Sequence, residues 1–276
     1  MSLKNKNNRI GVFDSGLGGL TILNHLITAL PGYHYIYLGD TARVPYGEKS
    51  PATIYEYSVQ AIDFLFSQGC NLIVIACNTV SAQALHPLQQ KYLPCKYPSK
   101  RILGVIRPLV EEFSKKDIKH LGVIGTKSTI ESNAYLAEIT KLNPNIEIVS
   151  KKTPLLVPLI EESWGDKPET KMILKKYLRP LKIKKIEALI LACTHYPFLL
   201  KQIRGVMGKR VNVPDPGEIV ALSLKNYLMK HPELNIRKEA KTSATFFTTD
   251  DPDSFKLAGE KFLQKTIKKI TKVKID

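Results

Sequence analysis

LIVIACNT at residues 72–79 and ALILACTH at residues 188–195 decide the fold of this chain. Each stretch begins with a wholly apolar run, which is typical of a buried parallel strand. Each continues into a cysteine, Cys77 or Cys193, and two polar residues. Open α/β sheets bind ligands at the carboxyl ends of their strands. We therefore interpret the repeated pattern as two thiols that approach one substrate from two sides.

Strand-like and helix-like segments alternate along the rest of the chain, which is the pattern of an α/β fold. The pattern restarts after about residue 102, because LGVIGT at 121–126 resembles IGVFDS at 10–15. The two copies of this segment are 111 positions apart (10 to 121), and the two cysteines are 116 apart (77 to 193). Similar offsets in the same order indicate an internal duplication and predict two α/β units.

The domain boundaries are predicted from two proline-rich passages, 94–98 and 214–217, which could be the crossings between the units. A strand-like segment and a helix start follow the second passage, so we infer that the C-terminal part returns to the first unit. The predicted division is a discontinuous first α/β domain, residues 1–99 and 210–276, and a second α/β domain, residues 100–209.

The composition is that of an ordinary globular protein of 276 residues, with 43% apolar and 24% charged residues. No apolar run approaches the ~20 residues of a membrane span, so no membrane partner is predicted. The N-terminal MSLKNKNNRI lacks the apolar core of a signal peptide, and we expect a cytoplasmic location. The chain could form a homodimer.

The formal net charge of +16 is large, and lysines cluster within 182–185 and 265–274. Such a surface would attract anionic metabolites and bind nucleic acid weakly, in a salt-dependent way. The alternative, which we favour, is a solvated face that keeps the protein soluble. Because the aromatic interleaving and the dedicated motif of a nucleic-acid binder are missing, no specific nucleic-acid partner is expected.

The four cysteines form no CxxC pair and no zinc spacing, so no metal site is predicted. In a reducing compartment they should be free thiols. Structural positions are favoured for Cys70, which follows the helix-ending Gly69, and for Cys95, which lies between prolines.

Two opposed thiols fit two chemistries. One is a reversible disulfide, although a separation of 116 residues (77 to 193) is unlike the usual CxxC device. The other is two-base proton transfer, in which a thiolate removes a proton from one face of a carbon and a thiol returns one to the other face. This reaction inverts a stereocentre without a cofactor. General acid–base groups contribute ~10²–10⁴-fold each, so fixed donors must also stabilise the carbanion.

Polar residues beside the thiols could bind a substrate. The pairs 78–79 and 194–195 could donate hydrogen bonds and hold a carboxylate. Asp14 could bind an ammonium group or help to deprotonate a thiol, or it could be part of a turn and helix cap. His195 could protonate a thiol, position a carboxylate or be structural. The glycines at 16–19 match neither GxGxxG nor a P-loop, so nucleotide binding is not predicted.

Six motifs of this chain resemble, in the same order, those of the glutamate racemases, which are cofactor-independent members of the aspartate/glutamate racemase superfamily. The motifs are DSGLGG at 14–19, GDTARVPYG at 39–47, ACNT at 76–79, IGT at 124–126, PLIE at 158–161 and CTHYP at 193–197. The resemblance implies interconversion of L- and D-glutamate, which provides D-glutamate for bacterial peptidoglycan. It also implies two similar parallel-sheet α/β domains related by pseudo-symmetry, with the active site in the cleft between them.

The resemblance also implies roles for single residues. By motif position, Cys77 would be the base that acts on the D-enantiomer and Cys193 the base that acts on the L-enantiomer. Asp14 and His195 would assist the respective thiols, and Glu161 would be a further polar assistant. The implied substrate contacts are Asp14, Ser15, Tyr46, Gly47, Asn78, Thr79, Thr194 and His195.

Three positions depart from the family pattern. Ala192 stands where glycine is common, Arg107 where an acidic residue is common, and Trp164 ends a less typical segment. None of them removes a catalytic group, and Asp40 could support the site from behind. Two alternatives stay open: a related racemase acting on aspartate or another acidic amino acid, and a basic, redox-sensing nucleic-acid-binding protein.

Overall fold

A computed structural model describes residues 9–236 and 238–276 of the chain. The prediction that no signal peptide is present falls partly on residues 1–8, which lie outside the described residues. The strands are β1 Arg9–Asp14, β2 His34–Gly39, β3 Cys70–Ile75, β4 Arg101–Gly104, β5 His120–Gly125, β6 Glu147–Lys152, β7 Ala188–Ala192, β8 Ser243–Thr248 and β9 Ile270–Lys272.

The α-helices surround two parallel sheets. They are α1 Leu20–Ala29, α2 Pro51–Ser67, α3 Asn78–Gln83, α4 Leu85–Pro87, α5 Leu93–Lys96, α6 Ile106–Ser114, α7 Lys127–Glu131, α8 Ala134–Leu142, α9 Leu156–Glu161, α10 Pro168–Ile183, α11 Leu200–Met207, α12 Pro216–Lys230 and α13 Pro252–Leu263. Among the described residues, none of these helices combines the length and the apolar character that a membrane crossing needs.

The first sheet has the strand order β4-β3-β1-β2-β8-β9, and every neighbouring pair is parallel. Its last two strands come from the C-terminal part of the chain, which therefore returns to this sheet. Strand β4 corrects one predicted boundary, since Ile102 pairs with Ile73 although residues 100–209 were assigned to the second domain. The prolines at 94–98 misled the prediction because they lie in and just after helix α5, before the chain re-enters the first sheet.

The second sheet has the order β6-β5-β7 and repeats the arrangement found around β1. In both sheets the first strand of the unit is central, the second strand lies on one side of it, and the cysteine-bearing third strand lies on the other. The predicted class of two similar parallel-sheet α/β units is confirmed.

Local sequence signals explain how the cysteine-bearing strands are reached. Helix α2 begins with Pro51 after Ser50, whose side chain accepts a hydrogen bond from the Thr53 amide. The chain leaves this helix through Gly69, which has a φ of +83° that favours glycine, and enters β3 directly. Strand β7 is buried along its whole length, as its apolar sequence predicts.

Candidate active site

The carboxyl ends of the parallel strands bring polar residues together in the cleft between the two sheets. Asp14 ends β1, Cys77 follows β3 as the N-cap of α3, and Cys193 follows β7 directly. A cavity of about 360 Å³ lies at this edge, and both thiols line it. The cysteines predicted to meet one substrate therefore face the same cavity.

Ten of the eleven predicted site residues line this cavity. They are Ser15, Tyr46, Gly47, Cys77, Asn78, Thr79, Glu161, Cys193, Thr194 and His195. Asp14 is buried and is not part of the lining. The structure brings these residues together, and their individual catalytic and binding roles stay predictions.

Cys77 has a hydroxyl as its nearest polar partner. Its Sγ lies 3.4 Å from Ser15 Oγ, and only 5% of the residue is exposed. Burial, with a further contribution from the negative charge of Asp14, raises the pKa of the Cys77 thiol to about 12, although the hydrogen bond with Ser15 opposes this shift. Cys77 is therefore protonated at neutral pH in the ligand-free protein.

Cys193 has a histidine as its partner. His195 lies with Nδ1 3.9 Å from Cys193 Sγ and Nε2 3.0 Å from Glu161 Oε1. Burial lowers the pKa of His195, but its hydrogen bonds to Cys193 and Glu161 outweigh burial and raise the pKa to about 10. The imidazole is therefore cationic at neutral pH and can donate from both nitrogens.

Asp14 lies behind the cavity, where it links the two units. Its Oδ2 accepts from the Gly16 amide at 3.0 Å, and its Oδ1 accepts from Thr194 Oγ1 at 3.5 Å. Burial raises the pKa of Asp14, and the charge of His195 and the hydrogen bonds oppose this shift. Asp14 is therefore buried behind the lining, and its contact with substrate stays a prediction. Together with burial, its negative charge raises the pKa of the Cys77 thiol.

Hydroxyl groups join the two units on the Cys77 side of the cavity. Thr79 Oγ1 lies 2.9 Å from Thr126 Oγ1 and 3.2 Å from Thr129 Oγ1. Tyr135 donates from its hydroxyl to Asn78 Oδ1 at 2.6 Å. Because its carbonyl oxygen is occupied in this way, the Asn78 amide nitrogen remains as the donor for a ligand.

Tyr46 is fixed by Asp40, in agreement with a supporting position for that carboxylate. The Tyr46 hydroxyl donates to Asp40 Oδ2, which also accepts from Arg43 Nε at 2.6 Å. Thr249 donates to the other oxygen at 2.8 Å. Asp40 is fully buried and does not reach the cavity itself.

Gly18 allows the glycine-rich turn of the first unit to approach the second unit closely. A Cβ at this position would stand 2.2 Å from Thr194 Oγ1 and 2.5 Å from His195 Nδ1. No side chain fits there, so this turn positions the histidine that contacts Cys193.

Sequence reasoning missed several cavity residues as site residues, among them Thr126, Lys127 and Thr153. Thr126 and Thr153 could have been found, because they directly follow β5 and β6 just as the cysteines follow their strands. Lys127 opens α7 at the cavity mouth, 3.9 Å from Glu48 of the first unit, and no pattern in the sequence marks it.

The polar side chains that line this cavity are thiols, hydroxyls, one amide, one imidazole, one lysine and the carboxylates of Glu48 and Glu161. Within residues 9–236 and 238–276, no group of three or more His, Cys, Asp or Glu side chains could hold a metal ion. The arrangement can accept a proton at one sulfur and donate one at the other.

Known proteins match this chain along most of its length. Residues 10–223 match the family described as Asp/Glu/hydantoin racemase. The glutamate racemase of Geobacter metallireducens is 40% identical over 255 residues, which is 92% of each chain. That of Syntrophus aciditrophicus is 38% identical over 266 residues, which is 96% of each chain.

Solved structures of glutamate racemases have the same fold. The enzyme of Francisella tularensis, solved in complex with D-glutamate, superposes with a TM-score of 0.88 at 39% identity and covers 98% of this chain and 99% of its own. An isoform from Bacillus anthracis gives a TM-score of 0.90 at 32% identity, with 98% of each chain covered.

Proposed function

Because this chain belongs to the Asp/Glu/hydantoin racemase family, we propose that it is an isomerase that interconverts L-glutamate and D-glutamate by proton transfer between two thiols. The observation that carries the proposal is that Cys77 and Cys193 line the same cavity. Proton transfer between two such thiols is a chemistry that can carry out the racemisation for which the matched relatives are named.

The reaction begins at the thiolate. Its sulfur takes the α-proton of glutamate, so an S–H bond forms, the Cα–H bond breaks, and the electron pair stays on the substrate as a carbanion conjugated with its carboxylate. The opposite thiol then donates its proton to the other face of Cα. A new C–H bond of inverted configuration forms, and the second sulfur is left as the thiolate.

The charged groups nearest the two sulfurs have opposite signs. The imidazolium of His195 lies where it stabilises negative charge that develops on Cys193 during the reaction, whereas the raised pKa of Cys77 keeps its proton in place. We propose that Cys193 is the base for L-glutamate and that Cys77 is the base for D-glutamate.

Substrate binding is assigned to the neutral donors of the lining. The Ser15 and Thr79 hydroxyls and the Asn78 amide can hold carboxylate oxygens without adding a competing base. We propose that the α-carboxylate lies among them, so that the same hydrogen bonds strengthen as charge develops in the transition state.

The biological role is proposed from the family. D-glutamate formed in this way would supply bacterial peptidoglycan synthesis, and the protein would act in the cytoplasm, as a homodimer.

Circular dichroism on both glutamate enantiomers tests the activity directly. Purified protein without added pyridoxal phosphate, nucleotide or metal should bring either enantiomer to the racemate. C77A and C193A should each abolish the reaction, and C95A, which removes an exposed thiol outside the cavity, should leave it intact. An unchanged rate in either of the first two variants would exclude the two-thiol mechanism.

The same assay on enantiopure aspartate and other acidic amino acids tests the substrate. We expect glutamate to give the highest kcat/KM. A higher value for aspartate would assign the chain to a different substrate with the same chemistry.

A further inference from the structure

A second cavity, unrelated to the thiols, lies between helices α10 and α11. It has a volume of about 910 Å³ and is an open groove. We call it the basic groove, because its cationic lining residues are Lys167, Lys171, Lys175, Arg179, Lys182 and Lys201. One carboxylate, Asp166, also lines it.

The cations of α10 form a row along one helix face. Lys171, Lys175 and Arg179 are spaced four apart within the helix, so their side chains project in nearly the same direction, and Lys167 caps the start of the helix. With a rise of 1.5 Å per residue, successive charges are about 6 Å apart along the axis. Lys182 continues the row, which therefore extends for roughly 22 Å.

The charges of this row are not neutralised by the protein. Within the described part of the chain, none of the six basic side chains lies within 4.0 Å of a carboxylate oxygen. Asp166 contacts a neutral neighbour within the groove, because its Oδ1 accepts from Gln202 Nε2 at 2.7 Å. Lys152 and Lys96, by contrast, are paired with acidic side chains. Like charges on adjacent turns repel, so an external anion would stabilise the row.

Two further side chains near the groove, an aromatic ring and an amide, can contact an uncharged part of a ligand. Trp164, the single tryptophan of the chain, directly precedes Gly165 of the lining and is 45% exposed. Its backbone carbonyl accepts from the Lys167 amide at 2.9 Å, so the tryptophan is joined to the first lysine of the row by a tight turn. Gln202 also lines the groove, and its Oε1 is buried without a hydrogen-bond partner.

We propose that the basic groove binds single-stranded nucleic acid through its phosphates and without reading its sequence. A row of regularly spaced cations matches a repeating anion better than it matches one phosphate group. An exposed aromatic side chain beside such a row is the second component of single-strand sites, since any base can stack on it. The proposal specifies where the weak, salt-dependent binding allowed by the +16 charge would occur.

Fluorescence anisotropy of a labelled oligothymidine, titrated with the full-length protein at several salt concentrations, tests the proposal. Each phosphate neutralised on a single strand contributes about −0.7 to the slope of log K against log salt. Six contacts therefore predict a slope of about −4.

The triple variant K171Q/K175Q/R179Q removes the centre of the row, and K265Q/K268Q/K269Q removes the same number of charges from exposed positions elsewhere. We expect the groove variant to bind at least about tenfold more weakly and to lose about 2 from the slope. The control variant should keep both the affinity and the slope within error. W164A should weaken binding about fivefold or more by removing a stacking platform.

Racemisation by all three variants should match the parent protein, because none of the changed residues lines the thiol cavity. This readout verifies that the variants are folded and separates a failure of the groove proposal from a failure of the proposed activity. Equal weakening in the two triple variants, tighter binding of duplex than of single strand, or no binding at low salt would each overturn the proposal.

Discussion

Cys77 and Cys193 follow equivalent strands of two similar sheets, but their charged neighbours have opposite signs. The anionic Asp14 and a hydroxyl influence Cys77, whereas Cys193 contacts the cationic His195. The repeated backbone provides the geometry of two thiols on one cavity. The few side chains that differ between the units determine which charge lies beside each sulfur.

The difference between the two thiols cannot appear as a difference in kcat/KM between the two enantiomers. Enantiomers have equal free energy in water, so the equilibrium constant of a racemase is one, and kcat/KM must be equal in the two directions for every variant. Proton exchange, thiol reactivity and stability carry no such restriction. They are the measurements in which the two environments can be told apart.

The largest expected effect is on isotope exchange in the single-cysteine variants. In D₂O, C193A should label the α-position of D-glutamate without racemising it, because Cys77 can remove and return a proton on its own face. L-glutamate should be labelled at least about 10²-fold more slowly, which is the lower range for a lost general base. C77A should show the reverse preference by proton NMR. Equal labelling of both enantiomers in either variant would contradict the assignment of one thiol to each enantiomer.

The next effect concerns the two charges. D14N and H195N should each slow racemisation by about 10²-fold, measured by circular dichroism. Loss of the Asp14 charge should lower the pKa of Cys77 and therefore speed its alkylation at pH 8. Loss of the imidazolium should slow the alkylation of Cys193, as followed by peptide mass spectrometry. The two variants should thus change thiol reactivity in opposite directions, and a change of the same sign would show that charge does not distinguish the thiols.

The pH dependence of the free energy of unfolding should also distinguish His195, beside Cys193, from Cys77. The pKa of His195 is raised from 6.5 to about 10, so its stabilising effect is complete below pH 6.5 and is lost as pH rises through 10. The pKa of Cys77 is raised from 9.0 to about 12, so its contribution to the free energy of unfolding is lost only as pH rises from 9 to 12. The slope of the unfolding free energy is at most about 1.4 kcal/mol per pH unit for each group.

Denaturant unfolding of H195N should therefore show a flatter profile than the parent between pH 6.5 and 10. The profile of C77A should flatten only above pH 9. If the profiles of both variants flattened over the same pH range, His195 and Cys77 would not be titrating as two separate groups.

The smallest expected effect tests the contact between the units. G18A should destabilise the protein by about 1–3 kcal/mol, because the new Cβ overlaps Thr194 and His195. It should change the alkylation rate of Cys193 more than that of Cys77. The matched change G205A has open space around it within α11 and should stabilise the helix by up to about 1 kcal/mol. If G205A also destabilised the protein, the contact with Thr194 and His195 would not be the cause of the G18A effect.

Much of this site could be predicted because buried parallel strands have a recognisable sequence and their ends share an edge. That rule located Cys77 and Cys193, and applied to every strand it would also have located Thr126 and Thr153. The hydrogen bond from Tyr135 to Asn78 could not be predicted, because it depends on how α8 packs beside α3.

The remaining errors also come from tertiary packing. Strand β4 joins the first sheet, and no feature of its four residues indicates which sheet it pairs with. The burial of Asp14 could not be predicted either, because it depends on the close packing of the glycine-rich turn. A Cβ at Gly19 would meet the Asp14 side chain at 2.5 Å, so that carboxylate is held by its own turn.

The burial of the cysteines also determines which thiol is oxidised first when the protein is stored in air. Cys70, Cys77 and Cys193 are at most 6% exposed, and Cys95 is the exposed thiol among the four. Oxidants should therefore reach Cys95 first and join two molecules through it while the interior thiols stay reduced. A stored sample could become covalently dimeric on a non-reducing gel and still keep its full catalytic capacity.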